Sequence, residues 1–297
     1  MKTLRFFSSL LIMLFLFSNA WSQDFVFQTF KDRRVINVHS VETLPKRKLD
    51  VRISHRFGDI AGDNGGFKTV YGLENATDVL LGAEYGVSDN FTLGIFRTKG
   101  AGTLPDGSPG LRQILNGVYK IRLIRQKEDN STPFTLTAVG ITSLSTAEKI
   151  EEAAEAIQSF PKFAHRMAHH IQLIAGRKFS DGFSLQLNAG YTYRNLVPSG
   201  DINGIFSMGG ATRIQLSKVV GIIADLTIPL SESRTSEKGF YPALGLGFEF
   251  ETGGHVFQLN FTNATAIMET DFIPYTTSNW GDGEFRLGFT VARIFNL

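Results

Sequence analysis

The chain has 297 residues, a net charge of +2 from 30 basic and 28 acidic side chains, and a mean hydropathy of −0.02. The charge balance leaves no footprint for a polyanion, so nucleic acid is excluded as a partner. Cysteine is absent, which excludes structural disulfides, thiolate chemistry and a lipid-modified N-terminal cysteine, while 26 Phe and 30 Gly are unusually many.

The first segment reads as a secretory signal. Lys2 and Arg5 form a basic start, Phe6 to Phe17 is apolar apart from Ser8 and Ser9, and Ala20-Trp21-Ser22 supplies small residues for cleavage before Gln23. The apolar run is shorter than the roughly 18–20 residues that span a bilayer. Residues 1–22 are therefore expected to be a cleaved signal peptide. The following stretch, 23–47, mixes Phe25, Phe27, Phe30, Val35, Ile36 and Val38 with Lys31, Arg33 and Arg34. A free tail carries fewer apolar residues, so the stretch is expected to be either a plug folded into a barrel or a periplasmic cap.

From residue 48 onward the signal is alternation with period two, the mark of a strand with one apolar face. Phe183, Leu185, Leu187, Ala189, Tyr191 and Tyr193 alternate with Ser184, Gln186, Asn188, Gly190, Thr192 and Arg194. Phe257, Leu259 and Phe261 repeat the pattern, as do Phe285, Leu287, Phe289 and Val291. Strands are expected near 48–57, 78–87, 90–98, 112–125, 133–143, 166–179, 182–194, 205–216, 219–228, 240–251, 254–263 and 283–297. Short links such as Ser180-Asp181-Gly182 and Gly253-Gly254 alternate with long ones near 58–77, 99–111, 144–165, 195–204, 229–239 and 264–282. The expected fold class is all-β: a transmembrane antiparallel up-and-down β-barrel of about 12 strands over 48–297, with short periplasmic turns and longer extracellular loops. Its place is the bacterial outer membrane. Its partners are outer-membrane lipid and, during insertion, the barrel-assembly machinery, which would read the terminal strand ending Phe295-Asn296-Leu297; a solute or protein partner is not specified by the sequence.

Several segments carry a resemblance. Leu49-Asp50-Val51-Arg52-Ile53-Ser54-His55-Arg56-Phe57-Gly58, Tyr71-Gly72-Leu73-Glu74-Asn75-Ala76, Glu84-Tyr85-Gly86-Val87-Ser88, Gly94-Ile95-Phe96-Arg97, Glu251-Thr252-Gly253-Gly254-His255-Val256-Phe257-Gln258 and the closing Gly288-Phe289-Thr290-Val291-Ala292-Arg293-Ile294-Phe295 stand out. They resemble the Bacteroidota outer-membrane β-barrel family known as domain of unknown function 5777. Tyr71 stands where that family usually has Phe, and Thr290 where it usually has Asn. The resemblance implies an outer-membrane barrel and no established activity.

Alternation points Asp50, Arg52, Arg56, Glu84, Lys120, Arg122, Arg194, Arg213, Asp225, Glu249 and Arg286 into the lumen. Seven basic and four acidic groups suit a polar pathway or an anion site; they equally suit an ion-pair network that stiffens a narrow barrel. In the long connection 144–165, Ser145-x-x-Glu148 fits a capping box, and Ile150, Ala153, Ala154, Ile157 and Phe160 follow helical spacing up to Pro161, so a helix is expected there. His165, His169 and His170 are close in sequence but run into a strand, which argues against a metal centre; no cofactor is expected. No G-x-S-x-G, H-E-x-x-H or G-x-x-x-x-G-K motif occurs, and adjacent Ser54 and His55 must point to opposite faces, so catalysis is not expected. The leading function is a narrow or gated pore for a small solute. A plugged scaffold or lipid-binding barrel is the alternative, and a lipid-modifying enzyme is the third.

Overall fold

The computed structural model describes residues 24–104, 106–151 and 157–297; the expected signal peptide lies outside them. Twelve strands follow in chain order: β1 Lys48–Phe57, β2 Ala76–Ser88, β3 Phe91–Thr98, β4 Ile114–Ile124, β5 Thr135–Ser145, β6 Met167–Ser180, β7 Phe183–Arg194, β8 Gly204–Gln215, β9 Val220–Leu230, β10 Ala243–Thr252, β11 His255–Thr262 and β12 Arg286–Asn296. Each pairs antiparallel with its sequence neighbours, and β1 pairs with β12, from Lys48 opposite Asn296 to Arg56 opposite Gly288, closing the barrel. Closure leaves no sheet edge, so every strand can satisfy its backbone within the wall.

The pleat sorts residue types the reverse of a soluble protein's way. Leu81, Ile95, Ile171, Leu187, Phe206 and Met208 are more than half exposed on the outside, while Arg52, Lys120 and Arg194 are 1% exposed or less on the inside. An apolar exterior around a charged interior is what hydrocarbon outside demands. Among the described residues no helix is long and apolar enough to cross a membrane.

Turn chemistry fixes one end of the barrel. The β10–β11 link is Gly253-Gly254, both with positive φ (51° and 96°), the combination a two-residue hairpin needs. Bulges near the strand ends, at Gly86/Ser88, Arg122/Ile124 and Lys178/Ser180, adjust the pairing as the chain turns. The opposite end carries the connections 58–75, 99–113, 146–166, 195–203, 231–242 and 263–285.

The inside is packed, not hollow. Segment 24–47 enters from the turn end, and the β11–β12 connection folds in from the other with a short helix, Glu269–Tyr275. Phe30, Val35, Val38 and Val41 of the first meet Ile267, Met268, Phe272 and Ile273 of the second, together with wall residues Val139, Ile174 and Ile223.

Two details differ from expectation. Ser145 ends β5 and donates to the Arg112 carbonyl at 2.7 Å, so it caps no helix, and residues 146–151 are irregular. Ile157–Ser159 and Phe163–Arg166 are single 3-10 turns, while Ala153 and Ala154 lie outside the described residues. The middle of the expected helix, 152–156, lies outside the described residues; beyond it, Ile157 and Phe160 are buried with Leu111, Ala168 and Tyr275. Strand β10 also begins three residues late, because Phe240 lies under the Arg234 guanidinium and Tyr241 donates its amide to the Thr276 carbonyl at 3.0 Å; β12 begins three residues late as well, the Phe285 carbonyl before it accepting the Ile60 amide at 2.8 Å.

Candidate functional site: the occupied lumen

The eleven inward charges divide into groups, and most meet residues outside the barrel wall. At the turn end, Asp32 of the inserted segment accepts from both guanidinium ends of Arg52, with 2.9 Å between Nη1 and Oδ2. Arg52 also pairs with Asp50 at 3.1 Å, and Asp50 with Arg33 at 3.2 Å. Lys120 donates to the Arg33 carbonyl at 3.0 Å, and Arg122 reaches Glu42 at 3.5 Å. Glu84 is buried among the charges of Lys120, Asp50, Arg52 and Arg33, and neither oxygen has a hydrogen-bond partner among the described residues.

Halfway along, Asp225 holds the tip of a small hairpin. Its Oδ2 accepts the Ile36 amide at 2.9 Å and the Asn37 amide at 2.6 Å, and its Oδ1 accepts Asn37 Nδ2 at 2.6 Å. The hairpin closes on itself through Val35 N to Val38 O at 2.9 Å. Arg56 donates to Asn37 Oδ1 at 2.6 Å and to the Ala264 and Ala266 carbonyls. The two inserted pieces are joined by Glu269, which pairs with Arg34 at 3.2 Å and with His39 Nδ1 at 2.7 Å.

Toward the loop end, Arg194 and Arg234 share Asp201 at 3.1 and 2.7 Å. Arg234 donates onward to the Pro274 carbonyl at 2.8 Å, fastening the helix. Burial raises Asp201, but the two guanidiniums outweigh it and hold the carboxyl below its usual range. Asp271, on the helix, accepts the Ala101 amide at 3.1 Å; burial, reinforced by the Asp78 charge, pushes it up to about 7. Arg286 donates to Ser278 at 2.8 Å.

One pair belongs to the wall alone. Arg213 on β8 reaches Glu249 on β10 at 2.7 Å, crossing the intervening strand over Gly221, where a Cβ would stand 3.0 Å from its guanidinium. Gly86 serves the inserted segment in a similar way: a Cβ there would lie 1.9 Å from the Pro45 carbonyl oxygen.

Little space remains between these groups. A void of about 10 Å³ is lined by Arg34, Ser54, Arg56 and Thr290 among others, and another of similar size lies beside Arg194, Asp271 and Tyr275. Each is about large enough for one water.

Alternation also marks Asp78, which has the parity of Glu84 but stood at the edge of its expected strand; it accepts the Lys99, Gly100 and Ile267 amides at 2.9–3.1 Å. Asp32, Arg34, Glu269, Asp201 and Arg234 lie in segments without periodicity, so no pattern marks them. The available sign was the imbalance of seven inward cations against four anions, because buried charges need partners.

The remaining candidates are not brought together. Ser54 faces inward on Thr290 at 2.8 Å, while His55 stacks outside on Phe289. His169 bonds Thr142 on the outer face, His170 bonds Thr192 on the inner, and His165 sits in the preceding turn. Among the described residues no group of His, Asp or Glu is arranged to hold a metal.

Solved structures that align with the barrel include the NanC porin (9% identity, 84% of this chain and 99% of the porin, TM-score 0.47). The KdgM porin, in complex with disordered oligogalacturonate, aligns at 8% identity over 84% and 99%, with a TM-score of 0.46. An outer membrane channel from Pseudomonas putida F1 aligns at 13% identity over 86% and 98%, with a TM-score of 0.48. None of the curated proteins matches the chain in sequence. A closed barrel with a lipid-suited exterior and a charged interior is an outer-membrane architecture, and the outer membrane is where this chain resides. Residues 30–295 match the model of the membrane-bound β-barrel domain family, DUF5777, and the protein belongs to that family.

Proposed function

We propose that the protein is a narrow solute pore closed in this structure by its own segment 24–47, with the turn end facing the periplasm. The observation that carries this is the chemistry of the contact between segment and wall. Asp32 with Arg52, Arg33 with Asp50, Glu42 with Arg122 and the Ile36–Asn37 amides with Asp225 are ionic or hydrogen-bonded. Water can replace each of these when the segment moves. A permanent filling would gain more from well-packed apolar residues, since buried ion pairs repay their desolvation poorly.

A sealed scaffold is the second reading, supported by the apolar contacts of Phe30, Val35, Val38 and Val41 within the lumen. Under either reading the chain is non-enzymatic, and it enters the membrane through the barrel-assembly machinery.

Planar-bilayer recording separates the two. The chain from Gln23 onward is expected to be silent or to open briefly, and a variant lacking 24–44 to conduct steadily. A deleted barrel that remains folded by its heat-modifiable gel mobility and yet stays silent, also when the inserted helix Glu269–Tyr275 is removed with it, would refute the pore.

A further inference from the structure

The loop between β1 and β2 exposes apolar side chains that no packing in the chain uses. Phe67 is 85% exposed, and Val70, Tyr71 and Leu73 are each close to half exposed. An exposed apolar group of this size on a small surface marks an interaction site.

The backbone that presents them is strained and internally tied. Val70 and Tyr71 both have positive φ (49° and 55°), which is unfavourable for a β-branched and an aromatic residue. Gly66 holds the turn in place by accepting the Tyr71 amide at 2.8 Å and the Thr69 amide at 3.2 Å, while its own amide donates to the Ile60 carbonyl at 2.8 Å. The tied turn holds both side chains about half exposed.

The patch adjoins the lipid-facing wall. Gly58 donates to the Gly72 carbonyl at 2.9 Å, and a Cβ on Gly72 would stand 2.5 Å from the Gly58 carbonyl, so Tyr71 and Leu73 flank the point where β1 ends at Phe57. Phe57 itself clusters with His55 and Phe289 on the outer face. The loop is further tied to the β11–β12 connection, Ile60 N to Phe285 O at 2.8 Å, where Phe285 stacks on Trp280. Aromatic side chains of this kind form the girdle of a membrane barrel at the interface.

We propose that residues 66–73 are a membrane-interface anchor, with Phe67, Val70, Tyr71 and Leu73 inserted into the lipid of the leaflet at the loop end. The occupant is lipid because the patch continues the apolar band rather than standing apart from it. Lys68, whose Nζ reaches the Asp63 carbonyl at 2.7 Å, can keep its charge at the headgroup level as amphipathic side chains do. The anchor fixes the depth and tilt of the β1–β2 side of the barrel, independently of whether the lumen conducts.

The absence of cysteine makes the test direct. Nitroxide labels are placed singly at Phe67→Cys and Leu73→Cys in the full barrel reconstituted into phosphatidylcholine vesicles. Leu173→Cys on the lipid-facing wall and Asp129→Cys in the exposed β4–β5 turn serve as references. Collision with oxygen against collision with a water-soluble nickel chelate reports the surroundings. Ratios at 67 and 73 shifted away from the Asp129 value to that of Leu173 support the anchor. Ratios matching Asp129 overturn it and leave the patch facing water for a protein partner. Labels shielded from both quenchers overturn it as well, in favour of contact with another chain.

Discussion

Asp225 holds the tip of the inserted segment, one of several polar contacts between that segment and the wall. Its carboxylate takes the backbone amides of Ile36 and Asn37 and the Asn37 side chain, all between 2.6 and 2.9 Å, and more distantly the Val38 amide at 3.4 Å, in a site 2% exposed. Asp225→Asn preserves the shape and removes the charge. Whichever way the new amide sits, its NH₂ faces a donor that was satisfied before. A hydrogen bond to a charged group contributes about 1.5–3 kcal/mol, against about 1 for a neutral one. Two weakened amide contacts and one donor–donor clash, partly offset by no longer burying a charge, lower the docking free energy by about 2 kcal/mol. That is up to about a 30-fold rise in the undocked population. The rise is read as open probability in planar bilayers, and independently as maleimide labelling of Ser40→Cys, a position fully buried in the docked state. If the chain lacking 24–44 conducts while D225N neither opens nor labels faster than its parent, the polar lock is not what holds the segment.

Arg213→Met is the control for that experiment. It strands a buried Glu249 and is expected to cost about 3–5 kcal/mol of barrel stability, lowering the midpoint of thermal unfolding, while changing open probability less than D225N does because neither partner is hydrogen-bonded to an inserted residue. Asp271 gives a pH signature. Its folded-state value is raised from 3.8 to about 7, so the folded form prefers the protonated acid. Stability is therefore lost as pH rises from about 4 to about 7 and is level beyond, and Asp271→Asn is expected to remove that slope in melts taken across pH 4–8.

The wall is legible in the order of residues alone. Period-two alternation needs only a chain in which lipid lies on one side of each strand, and that local rule located all twelve strands; β1, Lys48–Phe57, falls where the alternation begins and ends. The same rule gives the inward parity of Asp50, Arg52, Glu84, Lys120 and Asp225, because facing depends on odd or even position alone. What those charges meet depends on contacts between segments distant in the chain. Asp32, Glu42 and Glu269 lie in stretches that form no repeating element, and their partners are far away in sequence: Gln258 on the wall is 226 residues from Asp32, and Glu269 is 235 residues from Arg34 in the other inserted piece. The 145–151 stretch shows the same division from the other side. Ser145 has the spacing of a helix cap, yet it is taken up by the β5 ladder and by the Arg112 carbonyl, and residues 146–151 are irregular. Whether the lumen is empty or filled depends on how two aperiodic segments fold against a closed wall. That is a contest between desolvating their charges and pairing them, and it is settled only when all the partners stand in place.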